Sequence, residues 1–125
     1  MSTQLRDVVL LVEHDRALAQ SIRRALRSRF DVIVVDSATA AMEAVSSRSF
    51  VCALVEESLV SGSGLELAAR IKLERPGMLV TLLAAELDNE TMITASALGI
   101  QVADKHDLPE IDHVLLAMAT RPAGL

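Results

Sequence analysis

The sequence predicts an α/β domain in which a five-stranded parallel sheet is covered by helices on both faces. Two observations carry this. Short runs of Val, Leu, Ile and Ala alternate with helical patterns five times along the 125 residues. The runs are apolar throughout rather than alternating, as in strands buried on both faces. Parallel strands joined by connections this short need right-handed crossovers, which place helices on both sides of the sheet. The result is a three-layer sandwich of five βα units. The strand order adopted is 2-1-3-4-5, although periodicity alone does not fix it.

The elements follow in order. Val8 to Val12 (VVLLV) is the first strand, followed at once by Glu13, His14 and Asp15. Asp15 is placed to cap the first helix, whose inner stripe is Leu18, Ile22, Ala25 and Leu26. Arg23, Arg24 and Arg27 fall on its other faces, as a solvated surface or a docking patch, and cations suit this end near Arg29. Asp31 to Val35 is the second strand. Ser37 or Thr39 starts the second helix, with Ala41, Met42 and Val45 inward. Phe50 leads into the third strand, Val51 to Val55, which runs into Glu56 and Glu57 and a small-residue loop. Ser63 and Glu66 have capping-box spacing and open the third helix, which stops before Pro76-Gly77.

Met78 to Ala85 is the fourth strand. Asp88 caps a fourth helix over Asn89 to Leu98, with Met92 read as core filling, and Gly99 takes the left-handed position after it. Ile100 to Ala103 is the fifth strand. Asp107 and Glu110 repeat the capping-box spacing with Pro109 in the first turn. Ile111, Val114, Leu115 and Met118 make the inner stripe of the fifth helix, and His113 faces solvent. Residues 1–120 are read as one domain and 121–125 as a tail or the start of a linker.

Composition narrows the function. A formal charge of −5 disfavours direct contact with nucleic acid. The aromatic share of 2% leaves the core to aliphatic side chains and Met. The single cysteine, Cys52, lies inside an apolar run and reads as a buried side chain in a reducing compartment. No apolar run is long enough to span a bilayer and none resembles a secretion signal, so a cytoplasmic location is expected.

Open α/β sheets bind their ligands beyond the carboxyl ends of the strands. Here those ends carry Glu13, His14 and Asp15; Glu56 and Glu57; Ala84 and Ala85; and Asp104, Lys105 and His106. Such an acidic cluster needs a cation or a proton to be tolerable. Lys105 and Mg²⁺ are the natural candidates.

The segments VLLVEHD, ALVE with the SGSGLEL turn, LLAA and ADKHDL resemble the receiver (CheY-like) domain of two-component response regulators over nearly the full chain. The resemblance implies a flavodoxin-like (βα)5 fold and a non-enzymatic module of phosphorelay signal transduction. It implies phosphorylation by a histidine kinase or phosphotransfer protein on an aspartate, with Mg²⁺ as cofactor. It also implies output through helix four, strand five and helix five to an effector domain, including transcription regulation, or to a second copy.

The same alignment departs at the residues that do the chemistry. The phosphoacceptor position holds Glu56. The acidic pair holds Glu13 and then His14, where the family has its direct Mg²⁺ ligand, and Asp15 is one position late. The switch positions hold Ala84 and Val102. The lysine is kept as Lys105, after a one-residue deletion. A glutamate carries its carboxylate one methylene further out, and phosphoryl transfer depends on positioning and on a metal. Histidine suits borderline metals such as Zn²⁺ better than Mg²⁺. The expectation is a pseudo-receiver without the usual Asp/Mg²⁺ cycle, in which no cofactor is assigned.

Alternatives stand beside it. Glu56 with Lys105 is either a permanent ion pair or a vestigial pocket open to water. Glu56 as a built-in phosphomimic is a further reading, although one carboxylate falls short of a phosphoryl charge. His14 is a pH sensor, a transition-metal ligand, or a polar residue filling the vacated ligand position. A working receiver with shifted ligands and a metal sensor built on Glu13, His14 and Glu56 are the other functions. No second His or Cys clearly joins those three donors. A nucleotide- or flavin-binding role is disfavoured by the acidic, glycine-free loop after the first strand.

Overall fold

The computed structural model describes residues 6–60 and 62–119. Five strands form one parallel sheet: β1 (Val8–Val12), β2 (Asp31–Val35), β3 (Cys52–Glu56), β4 (Leu79–Ala84) and β5 (Gln101–Asp104). Their spatial order is β2-β1-β3-β4-β5, the expected 2-1-3-4-5. The helices are α1 (Arg16–Leu26), α2 (Ala38–Ser47), α3 (Gly64–Glu74), α4 (Asn89–Ala97) and α5 (Leu108–Ala119).

The strands show why their sequences do not alternate in polarity. Val9 and Leu11 pack with Ile22, Leu26, Ile111 and Leu115 of α1 and α5. Leu10 and Val12 point the other way, among Ala41, Val45, Leu67, Ile71 and Ala95 of α2, α3 and α4. Successive side chains of one strand thus enter two separate cores, and both must be apolar. Each buried Val or Leu contributes about 1.5–3 kcal/mol. Cys52 belongs to the α1/α5 core, and burial pushes its thiol up to about 12. It is a small apolar filler, as expected.

Local signals set the helix starts. Asp15 Oδ1 accepts from the Ala17 and Leu18 N–H groups at 3.0 and 3.2 Å. Ser37, not Thr39, caps α2 through the Ala40 N–H at 3.1 Å. Ser63 accepts from Glu66 N–H at 3.3 Å and Asp88 from Thr91 N–H at 2.9 Å. Such caps contribute about 1 kcal/mol each. Gly99 follows α4 at φ +73°, where a side chain would be strained.

Three expectations need correction. Met92 is 41% exposed rather than core, because α4 reads NETMITASA, has no apolar stripe, and buries only Ala95. The loop after β3 contains a short antiparallel ladder, Ser58–Leu59 with Gly62–Ser63. β3 and β5 each end one residue later than expected, so Glu56 and Asp104 are strand residues. His113 is exposed as read. The side chains of Val114 and Met118, and the tail at 121–125, lie outside the described residues. Among the described residues, no helix is long and apolar enough to cross a membrane.

Candidate functional site

Backbone register assembles the site. Val12 pairs with Val55, which puts Glu13 and Glu56 side by side just beyond. Glu56 pairs with Leu83 on its other side, and Ala84 pairs with Asp104. The Lys105 N–H then donates to Ala84 O at 3.0 Å, which fixes the lysine next to the ends of β3 and β4. From the side of the loop, α3 begins hard against the same point. Gly64 N–H donates to Glu57 O at 2.7 Å, and a Cβ on Gly64 would lie 1.8 Å from Glu56 O. Only glycine permits that approach.

Four predicted residues come together there. Glu13 and Glu56 are each only 2% exposed. The Lys105 ammonium donates to Glu56 Oε1 and lies 3.7 Å from Glu13 Oε2. His14 Nδ1 lies 2.5 Å from Glu56 Oε2 and 3.8 Å from Glu13 Oε1, on the solvent side of the pair. Glu13 Oε1 also accepts from Asp15 N–H at 3.1 Å. The Asp15 carboxylate is spent on the start of α1 and does not join the other donors. Ala84, buried at the end of β4, offers no hydroxyl, and half-buried Val102 offers no ring.

The charges settle among themselves. Burial, a hydrogen bond with Glu56 and the charge of Glu56 push the Glu13 carboxyl up to about 7. Burial alone would raise Glu56 as well. Hydrogen bonds with Glu13 and Lys105, with the nearby positive charge, hold it below the ordinary carboxylate value instead. Lys105 loses to burial but gains more from the Glu56 hydrogen bond and the two carboxylates, so its pKa is raised. Below neutral pH the arrangement is a protonated Glu13 beside a Glu56–Lys105 ion pair. A proton on Glu13 relieves the repulsion between the two buried carboxyl groups, and Glu13 Oε2 has no hydrogen-bond donor among the described residues.

Mg²⁺ would meet few free oxygen donors here. It needs near-octahedral oxygen ligands. Here Lys105 already holds one Glu56 oxygen, and an imidazole closes on the other. Glu13, His14 and Glu56 can each aim one donor atom within 4.8 Å of the others, but that mixed set matches a borderline metal better.

Two features of the site lie beyond the sequence reading. The proton between Glu13 and Glu56 depends on how completely the neighbouring elements bury both groups. The spacing between α3 and Glu56 depends on loop geometry, for which Gly64 in SGSGLEL is the one visible signal.

Comparisons with known proteins bear on what this site belongs to. The chain resembles a two-component response regulator from Clostridium difficile at a TM-score of 0.86 and 15% identity, over 93% of this chain and 98% of that one. It resembles the signal receiver domain of an HD domain-containing protein from Pseudomonas fluorescens at 0.83 and 23%, over 94% and 90%. A response regulator from Thermotoga maritima, solved in complex with Mg²⁺-BeF, matches at 0.79 and 15%, over 90% and 98%. These likenesses are of fold. A search of curated protein sequences returns no match. The response regulator receiver domain family model matches residues 9–103, and the chain belongs to that family.

Proposed function

We propose that this receiver domain of two-component signalling works without the usual aspartyl-phosphate cycle and acts through protein–protein contacts. The observation that carries the reading is His14, at the metal-ligand position, closing on Oε2 of a Glu56 whose other oxygen pairs with Lys105. In a phosphorylating receiver the acceptor carboxylate must be open for in-line attack and must share a metal with its neighbours. Here the acceptor position holds the longer Glu56, and besides the lysine the family keeps, His14 closes on its Oε2 from the metal-ligand position. Glu56 is an anchor for one conformation rather than a mimic of a phosphoryl group. Its single charge is matched by Lys105, and neither Ala84 nor Val102 can respond to it.

Output then rests on surface. Met92, Ile93 and Leu98 at α4 are 41%, 70% and 43% exposed, and they supply an apolar face for an effector or a second copy through α4 and α5. A histidine kinase or phosphotransfer protein is a partner by contact. With a charge of −5 the domain makes no direct contact with nucleic acid, and its place is the cytoplasm.

Amide NMR of the domain titrated with Mg²⁺, with and without beryllofluoride, tests this. The expected result is no saturable movement at Glu13, Glu56 and Lys105. Saturable shifts there that spread to α4 and β5 would restore a phosphorylatable switch and overturn the reading. One observation favours a second reading, a metal-responsive domain: the convergence of Glu13, His14 and Glu56. A Zn²⁺ arm in the same titration separates the two.

A further inference from the structure

At the far end of the sheet the chemistry reverses. Val8 and Asp31, paired in register, begin β1 and β2, whereas Glu13 follows the last residue of β1. Five residues of strand put the two ends about 16 Å apart. A groove of about 690 Å³ opens there between the second half of α1 and the start of β2. Five arginines line it: Arg6, Arg23, Arg24, Arg27 and Arg48. Its one acid is Asp31, which Arg6 approaches at 3.5 Å. A chain of net charge −5 thus gathers five of its 12 cations in one place.

Helix electrostatics explain only part of this. Arg23 and Arg24 sit in the last turn of α1, where cations favour the dipole. Arg23 and Arg27, however, are one turn apart, and like charges at that spacing repel. Arg6 and Arg48 come from other parts of the chain. Arg6 is held over the end of α1 by donating to Arg27 O, and Arg48 lies 5.7 Å from the centroid of the Phe50 ring. Both are thereby positioned at the groove. Arg23, Arg24 and Arg27 are exposed and make no ion pair among the described residues. The ends of β1 and β2 at Val8, Asp31 and Val32 form the floor of the groove beside the guanidinium groups.

We propose that this groove docks a short acidic segment of a partner polypeptide, with its Glu or Asp carboxylates on the arginines. Planar guanidinium groups pair with carboxylates in two parallel hydrogen bonds. Length decides between a peptide and a nucleic acid. Screening confines the attraction of the groove to roughly 8–10 Å. A short segment stays within that range, whereas a long polyanion runs out over a surface whose net charge repels it. The inference is independent of the state of Glu56, because the groove lies at the opposite end of the strands.

Fluorescence anisotropy of the full chain with a labelled four-residue Glu/Leu peptide tests it, alongside a thymidine oligonucleotide of about twenty nucleotides. Saturable peptide binding is expected, about tenfold weaker in Arg23→Glu/Arg27→Glu. Arg70→Glu, a charge reversal on exposed α3 surface, should leave the peptide affinity within twofold of wild type. Arg23→Gln/Arg27→Gln, gentler on folding, should fall between wild type and the double reversal. The proposal fails if binding is not saturable, if Arg70→Glu weakens it as much as the double reversal, or if the oligonucleotide binds more tightly through the same arginines.

Discussion

The two ends of this sheet handle charge in opposite ways. At the carboxyl end, Glu13, Glu56 and Lys105 are nearly dry and satisfy one another. At the amino end, Arg23, Arg24 and Arg27 are exposed and make no ion pair among the described residues. A buried ion cannot be left alone, because removing its partner leaves the whole desolvation cost standing. An exposed ion is solvated with or without a partner, so its removal is felt in binding rather than in stability. The carboxyl end is therefore built as a fixed structure, and the amino end is free to meet something else.

Lys105 gives the largest expected effect. Lys105→Met keeps the length of the side chain and removes the one ammonium beside Glu56 among the described residues. Chemical denaturation at pH 7.5 should show a loss of about 3 kcal/mol, the low end for a broken buried pair because the Lys105 side chain is 12% exposed. Adding Glu56→Gln should recover most of the loss. Equal stability of Lys105→Met and wild type would mean that the pair is solvated, and the contrast between the two ends would collapse.

Glu13 sharpens the contrast through pH. Its carboxyl titrates near 7 in the folded chain against an ordinary 4.5, so folding takes up a proton between those values. Its contribution to stability is complete below about pH 4.5 and is lost as pH rises through 7. Glu56 has the opposite sign. Its value is lowered, so its contribution is lost only as pH falls below the ordinary carboxylate range. From pH 5 to pH 8 the wild type should therefore lose roughly 2 kcal/mol. Glu13→Gln, which resembles the protonated acid at every pH, should flatten the profile and be more stable than wild type at pH 8. Parallel profiles for the two proteins would remove Glu13 as the shared-proton site.

Much of this was legible in the sequence, for definable reasons. VVLLV and VCALV read as doubly covered strands because a two-faced sheet leaves no polar alternation, and both were found in the two cores. Asp15, Ser37, Asp88 and Gly99 act on backbone within a few residues of themselves, so their roles were visible locally. The meeting of Glu13, Glu56 and Lys105 followed from strand ends converging. What stayed hidden depends on distant chain. Whether Glu13 keeps a proton depends on burial supplied by three strands. Arg6 and Arg48 reach the arginines of α1 only after folding, from 17 residues before Arg23 and 21 after Arg27 in the sequence. α4 carries almost no periodic signal, so its sequence does not reveal that Met92 faces out.

The smallest effect belongs to the amino end. Arg23→Gln/Arg27→Gln removes two exposed cations whose mutual repulsion and dipole attraction nearly cancel, each being a few tenths of a kcal/mol. Thermal and urea unfolding should place the variant within about 0.5 kcal/mol of wild type, as for surface changes generally. Two charges lost there should thus matter less than the one lost at Lys105, although they are neutralised in a domain that is already acidic. A loss above about 1 kcal/mol would show that the arginines hold the fold together, by packing their stems along α1 and β2. The groove would then be part of the structure, and its charge could no longer be read as a surface kept for a partner.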